Sequence, residues 1–179
     1  MSRLICLTAQ PDSRLSMQIR PYVSSTDEEQ LRVCVIELQN FERETDARMP
    51  SGEEIVDDYI IAMLFRCRMC DGQILVADVD GEIGGYVTIL NRVQSDDLDD
   101  GNLEFGLIAD LLVRKDYRGT GLGRELMAAA ESFAKEHDVR WLRISVMAQN
   151  AAARKLYAST GFSEIYVELE KDLERPSQA

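Results

Sequence analysis

The sequence predicts one α+β domain of three layers, and three observations carry that prediction. Apolar residues recur with a period near two in some stretches and near 3.6 in others, so both strands and helices are encoded. Turn-forming residues separate these stretches. The 179 residues suffice for one sizeable core, and no shift in composition marks a second domain.

Residues 1–15 show no periodicity and are expected to be a flexible leader to a domain over residues 16–174, with residues 175–179 a polar tail. Met17 to Arg20 reads as a strand closed by Pro21. Ser25-Thr26-Asp27-Glu28-Glu29 has the look of a capping box, so a first helix should begin near Thr26 and carry Leu31, Val35 and Leu38 at helical spacing. After Asn40, Pro50-Ser51-Gly52 resets the chain before a second helix containing Ile55, Tyr59, Ala62, Met63 and Arg66. Asp71-Gly72 ends that helix. Gln73 to Val79 and Ile83 to Leu90 read as a strand pair joined by the hairpin signal Asp80-Gly81.

Asp96, Asp97, Asp99, Asp100 and Gly101 form an acidic connection, and the next strand runs from about Glu104 to Val113. Its nearly continuous apolar run suits a strand covered on both faces, yet Asp110 sits inside it. A carboxylate there needs partners or a raised pKa, which makes it a candidate base. An Asp that accepts backbone N–H bonds at a strand irregularity explains it equally well. Leu122, Leu126, Ala129, Ala130 and Phe133 then describe an amphipathic helix to about His137, and Trp141 to Val146 another strand. Asn150 is placed to cap a last helix that Gly161 stops, and Glu164 to Leu173 reads as a final strand. The predicted order is β-α-α-β-β-β-α-β-α-β.

A net charge of −12 argues against nucleic acid as a partner and suits a cationic one, although solubility explains it too. No apolar run approaches membrane-spanning length, so a cytoplasmic protein without a membrane partner is expected. The pair Cys67 and Cys70 lies within a helical pattern, no second pair accompanies it, and His137 is the sole histidine, so no metal is expected.

Between strand and helix stands Arg114-Lys115-Asp116-Tyr117-Arg118-Gly119-Thr120-Gly121-Leu122-Gly123-Arg124, basic and rich in glycine. Glycines there let unpaired N–H groups at a helix start point at phosphate oxygens. A Walker loop would need Lys-Ser or Lys-Thr after Gly123, where Arg124-Glu125 stands; a dinucleotide fingerprint from Gly119 would need glycine at Arg124. The pattern present is Arg-x-x-Gly-x-Gly, read as Arg118, Gly121 and Gly123. Seven residues separate Asn150 from Tyr157, so on a helix they share a face. Tyr157 alone reads as a core aromatic.

The two segments together resemble the GNAT superfamily of acetyl-CoA-dependent N-acetyltransferases, in which such a loop precedes an Asn-x-x-Ala-x-x-x-Tyr-x-x-x-Gly-Phe segment, here Asn150 to Phe162. The resemblance implies a mixed, mostly antiparallel central sheet flanked by helices. It implies that backbone groups from Leu111 through Leu112 to Val113 pair with the pantetheine arm of acetyl-CoA where two strands splay. The amides of Arg118, Gly119, Thr120, Gly121, Leu122 and Gly123 would hold the pyrophosphate, with Asn150 bonding the cofactor or nearby backbone. Tyr157 would lie by the sulfur as general acid, with Asp110 or Glu104 as base and the backbone near Leu111 as oxyanion donor. Members resembling the polyamine acetyltransferases carry Glu where Ala109 stands, and some protein N-terminal acetyltransferases carry Glu where Ser145 stands. The expected activity is acetyl transfer to a primary amine of a small molecule or a peptide. A non-catalytic acyl-CoA-binding module is the alternative, and a homodimer is left open.

Overall fold

The computed structural model describes residues 16–95 and 98–174, so the expected leader, Asp96, Asp97 and the tail lie outside the described residues. Five strands and four helices are present among them: β1 (Met17–Pro21), α1 (Ser24–Thr45), α2 (Gly52–Met69), β2 (Gln73–Val79), β3 (Glu82–Gln94), β4 (Glu104–Val113), α3 (Leu122–Glu136), β5 (Leu142–Ile144) and α4 (Ala151–Ser159). The sheet follows chain order, β1-β2-β3-β4-β5, antiparallel through β4 and parallel between β4 and β5. This is the mixed, mostly antiparallel sheet that the resemblance implied.

Helices cover both faces. Leu31, Cys34, Val35, Val56, Ile60 and Met63 pack with Val76, Tyr86 and Leu112 on one side; Leu122, Leu126, Met127 and Ala130 pack with Ala77, Val87 and Ile108 on the other. Because β3 is central and covered twice, Ile83 to Leu90 are all buried, which explains a sequence apolar but for Thr88. The hairpin signal is realised with Asp80 at φ 52° and Gly81 at φ 89°, both in the left-handed region that a tight two-residue turn needs.

Three expectations are corrected. Helix α1 starts at Ser24 and runs to Thr45, past Asn40; its start is held by Asp27, which accepts the Val23 N–H at 2.8 Å. The reciprocal reach of a capping box occurs at α2, where Glu54 accepts the Ser51 N–H at 2.8 Å. The buried face of α2 is Val56, Ile60, Met63 and Cys67, so Ile61 and Phe65 stand exposed. Finally, Glu164 to Leu173 forms no strand: Ile165, Val167 and Leu169 are 61%, 72% and 89% exposed. The alternating pattern is present, but β5 is three residues long and offers little edge. Polar ties of the segment run instead from Glu164 to Arg154 and from Glu170 to Arg48.

Candidate active site

The site begins with two departures from regular pairing in β4. The register couples Asp110 to Thr88 but Ile108 to Ile89, so Ala109 is a bulged residue without a partner. The bulge resets the alternation, and Ala109 and Asp110 both face α1 and α2 instead of falling on opposite sides. On the other edge, β5 pairs with β4 only from Gly106 to Ile108. Past Ile108 the two strands part.

What the parting exposes follows from the ladder. Arg114 donates to the Gly84 carbonyl at 2.9 Å, which makes Arg114, Leu112 and Asp110 the residues whose peptide groups bond β3. Leu111 and Val113 therefore turn their N–H and C=O groups toward the gap left by β5. The Val113 carbonyl accepts the Arg118 Nε there at 2.9 Å.

A cavity of about 560 Å³ fills the gap. Its lining comes from residues 108–113, from residues 144–147 with Asn150 and Tyr157, and from Leu38, Phe41, Glu42 and Tyr59 of α1 and α2. The glycine loop completes it. Gly121 has φ 97° and opens directly into α3, a conformation that side chains rarely adopt. A Cβ on Gly123 would stand 3.2 Å from Leu156 and 3.4 Å from Val113, so glycine lets α3 approach α4 and the end of β4. The N–H groups of residues 119–123 donate to no protein acceptor among the described residues. The Arg118 amide differs, since it donates to Lys115 at 3.3 Å. The Arg118 side chain also pairs with Glu37 at 3.0 Å and stacks 5.5 Å above Phe41, which makes it a strut that ties the loop to α1.

Asn150 caps α4 by accepting the Ala153 N–H at 3.0 Å and lines the cavity. Tyr157 is 9% exposed and also lines it. Burial, reinforced by the negative field of Glu42, pushes its hydroxyl up to about 12, so it holds its proton at neutral pH.

Asp110 is 6% exposed and accepts the Tyr59 hydroxyl. The Thr88 hydroxyl lies 3.1 Å from the Met63 sulfur and also reaches the Asp110 carboxyl, the stronger acceptor. Burial raises the Asp110 pKa; those two hydroxyls and the field of Arg66 oppose the rise. The strand irregularity therefore exists, but the side chain serves hydroxyls.

Leu111, Leu112, Val113, Arg118, Gly119, Gly121, Leu122, Gly123, Asn150, Tyr157 and Asp110 line one cavity, and Thr120 sits within the same loop with its hydroxyl on the Tyr117 carbonyl at 2.7 Å. Glu104 does not join them. It is exposed at the far start of β4, its carboxylate 3.3 Å from Gln94, because the six residues to Asp110 carry it down the strand and away from the gap. Sequence reading missed Glu42. In the last turn of an amphipathic helix a glutamate reads as a solvated residue, and only the tertiary fold turns it to the cavity.

The cavity thus brings together a glycine loop with free N–H groups, strand-like backbone groups and a protonated phenol. The chain matches the Acetyltransferase (GNAT) family over residues 35–162. It belongs to that family. Over 66 residues it is 39% identical to the uncharacterised N-acetyltransferase YycN of Bacillus subtilis (strain 168), covering 37% of this chain and 42% of that one. Over 86 residues it is 33% identical to an uncharacterised N-acetyltransferase of Lactobacillus delbrueckii subsp. lactis, covering 48% of each. The chain thus spans about half the length of the curated relatives it matches. Among solved structures, a mutant of the BH1408 protein of Bacillus halodurans shares the fold with a TM-score of 0.74 at 24% identity, covering 87% of this chain and 99% of that one. An acetyltransferase of the GNAT family from Staphylococcus aureus Mu50 does so with a TM-score of 0.65 at 19% identity, covering 84% and 87%. The GNAT fold is therefore common to them, and the bulge at Ala109 with the parted strands is where this member builds its cavity.

Proposed function

We propose that this GNAT protein transfers the acetyl group of acetyl-CoA directly to a primary amine of a small molecule or peptide. The observation that carries the reading is the set of groups gathered on one cavity. Arg118, Arg124 and the glycine loop with its free backbone N–H groups line it together with Glu42, Asp110 and Tyr157. Such a lining offers donors to an anionic cosubstrate and carboxyl groups to a cationic acceptor.

Acetyl-CoA would supply the activated acetyl group. The amides of Gly119 to Gly123, at the N-terminus of α3, would hold the pyrophosphate, and the gap-facing groups of Leu111 and Val113 would align the pantetheine arm as an added strand. Asn150 would fix the neighbouring backbone. The Leu111 N–H would receive the negative charge that develops on the carbonyl oxygen, and Tyr157 would give its proton to the departing sulfur. A carboxylate of the cavity would remove the amine's proton. A cytoplasmic setting fits the reading, in that no described helix is long and apolar enough to cross a membrane.

Thiol release from acetyl-CoA, followed over a panel of primary amines, tests the reading; turnover with at least one amine and none with the corresponding alcohol is expected. Tight acetyl-CoA binding without thiol release on any amine would make the protein an acyl-CoA-binding module instead.

A further inference from the structure

Two carboxyl groups line the cavity, and their surroundings divide the work between them. Asp110 is engaged: it is 6% exposed and takes the Tyr59 and Thr88 hydroxyls. Glu42 is half-buried, lines the same cavity, and neither accepts a hydrogen bond at its carboxylate nor pairs with a cation among the described residues. It feels the charge of Asp110 and in turn raises the Tyr157 hydroxyl. The groups that face it are Asp110 on β4, Tyr59 on α2, Tyr86 on β3 and Tyr157 on α4, with Arg118 stacked on the neighbouring Phe41 and already paired to Glu37. Leu38, Phe41 and Tyr59 supply apolar wall beside it.

A half-buried carboxylate with no partner in a cavity costs free energy, and a cationic guest would recover it. Resting on the acetyl-transfer reading, the geometry points to Glu42 as the residue that meets the acceptor: it binds a primary ammonium carried on an apolar stem and takes that ammonium's proton, while Asp110 is a positioning residue that acts through Tyr59 and through its field on Glu42. The protons balance. The ammonium gives one proton to Glu42, which releases it to solvent. The neutral nitrogen then attacks, the C–N bond forms and the C–S bond breaks. Sulfur takes the Tyr157 proton, and the second proton of the nitrogen returns through Glu42 to the Tyr157 phenolate. One proton leaves per turnover.

The assignment makes Glu42 and Asp110 behave differently. Burial and the charge of Asp110 both raise the Glu42 pKa. Removing the charge in Asp110→Asn should shift the acid limb of the kcat profile to lower pH and keep it, whereas Glu42→Gln should abolish the limb. The reverse pattern, in which Asp110→Asn loses the limb and Glu42→Gln only shifts it, would assign the proton to Asp110 and overturn the inference. A second measurement needs no turnover: calorimetric binding of 2-phenylethylamine to the CoA-loaded protein. Affinity should fall at least about tenfold in Glu42→Gln, as for a lost charged hydrogen bond, and stay within about threefold in Asp110→Asn. Binding that depends on Glu42 in a protein without transfer activity would sink the enzymatic reading and the proton-transfer role, and leave Glu42 as the ammonium site. Equal binding by the parent and Glu42→Gln, or none by the parent, would refute it.

Discussion

Tyr157 shows how a residue can be assigned from the sequence for one reason and understood from the structure for another. Its spacing from Asn150 and its place before Gly161-Phe162 mark it in the chain, while the burial that lifts its hydroxyl to about 12 comes from the packing of α4 against the sheet. In Tyr157→Phe the ring and its contact with Phe162 at 6.2 Å remain, and only the proton is lost. Turnover should fall about 100-fold with acetyl-CoA affinity within about twofold, since the hydroxyl acts in the transition state. Steady-state kinetics beside equilibrium binding check this, and unchanged turnover removes Tyr157 from the mechanism. Glu42 is the opposite case. Nothing in its neighbours Phe41 and Arg43 distinguishes it from a solvated glutamate, because its role depends on where β4 and α4 arrive.

At the scale of elements, the glycine loop and α4 were legible because backbone chemistry dictates their residues. Positive φ at Gly119 and Gly121 and a side-chain cap at Asn150 are local requirements written locally. Gly121→Val should break the loop in two ways at once. A β-branched residue at φ 97° costs about 1–2 kcal/mol, a few degrees in Tm for a chain of this size, and the re-formed turn should lose most acetyl-CoA affinity. Calorimetry with a thermal melt separates the two effects, and parental affinity in the variant would refute the pyrophosphate assignment. The bulge at Ala109 was legible only as one of two readings of Asp110, and the unformed final strand was not legible. An apolar run carries no mark of where its register slips, and alternation in Glu164 to Leu173 states a capacity to pair without naming a partner.

The whole molecule is fastened at the edge away from the cavity by Arg20, which joins three elements. Its guanidinium takes both Asp27 oxygens, at 2.6 and 3.0 Å, and reaches Asp78 at 3.0 Å, so β1, the start of α1 and β2 close on one cation. Asp27 is 2% exposed, and the Arg20 bonds hold its carboxyl at about 2 against 3.8. A folded pKa below the unfolded one gives stability that is complete above about pH 4 and disappears as pH falls through 2. The difference amounts to roughly 2 kcal/mol. Asp27→Asn should therefore unfold more easily at pH 7 and lose less stability between pH 4 and pH 2 than the parent does; identical acid transitions by circular dichroism would place that acid sensitivity elsewhere.

At the opposite edge, the gap between β4 and β5 leaves the sheet unfinished by the chain itself. A guest that lies along Leu111 and Val113 can do so only in the folded protein, so occupancy and folding draw on the same equilibrium. At a hundredfold excess over its dissociation constant such a guest adds about 2.7 kcal/mol to stability. The stability of the folded chain then depends on how much of that guest surrounds it.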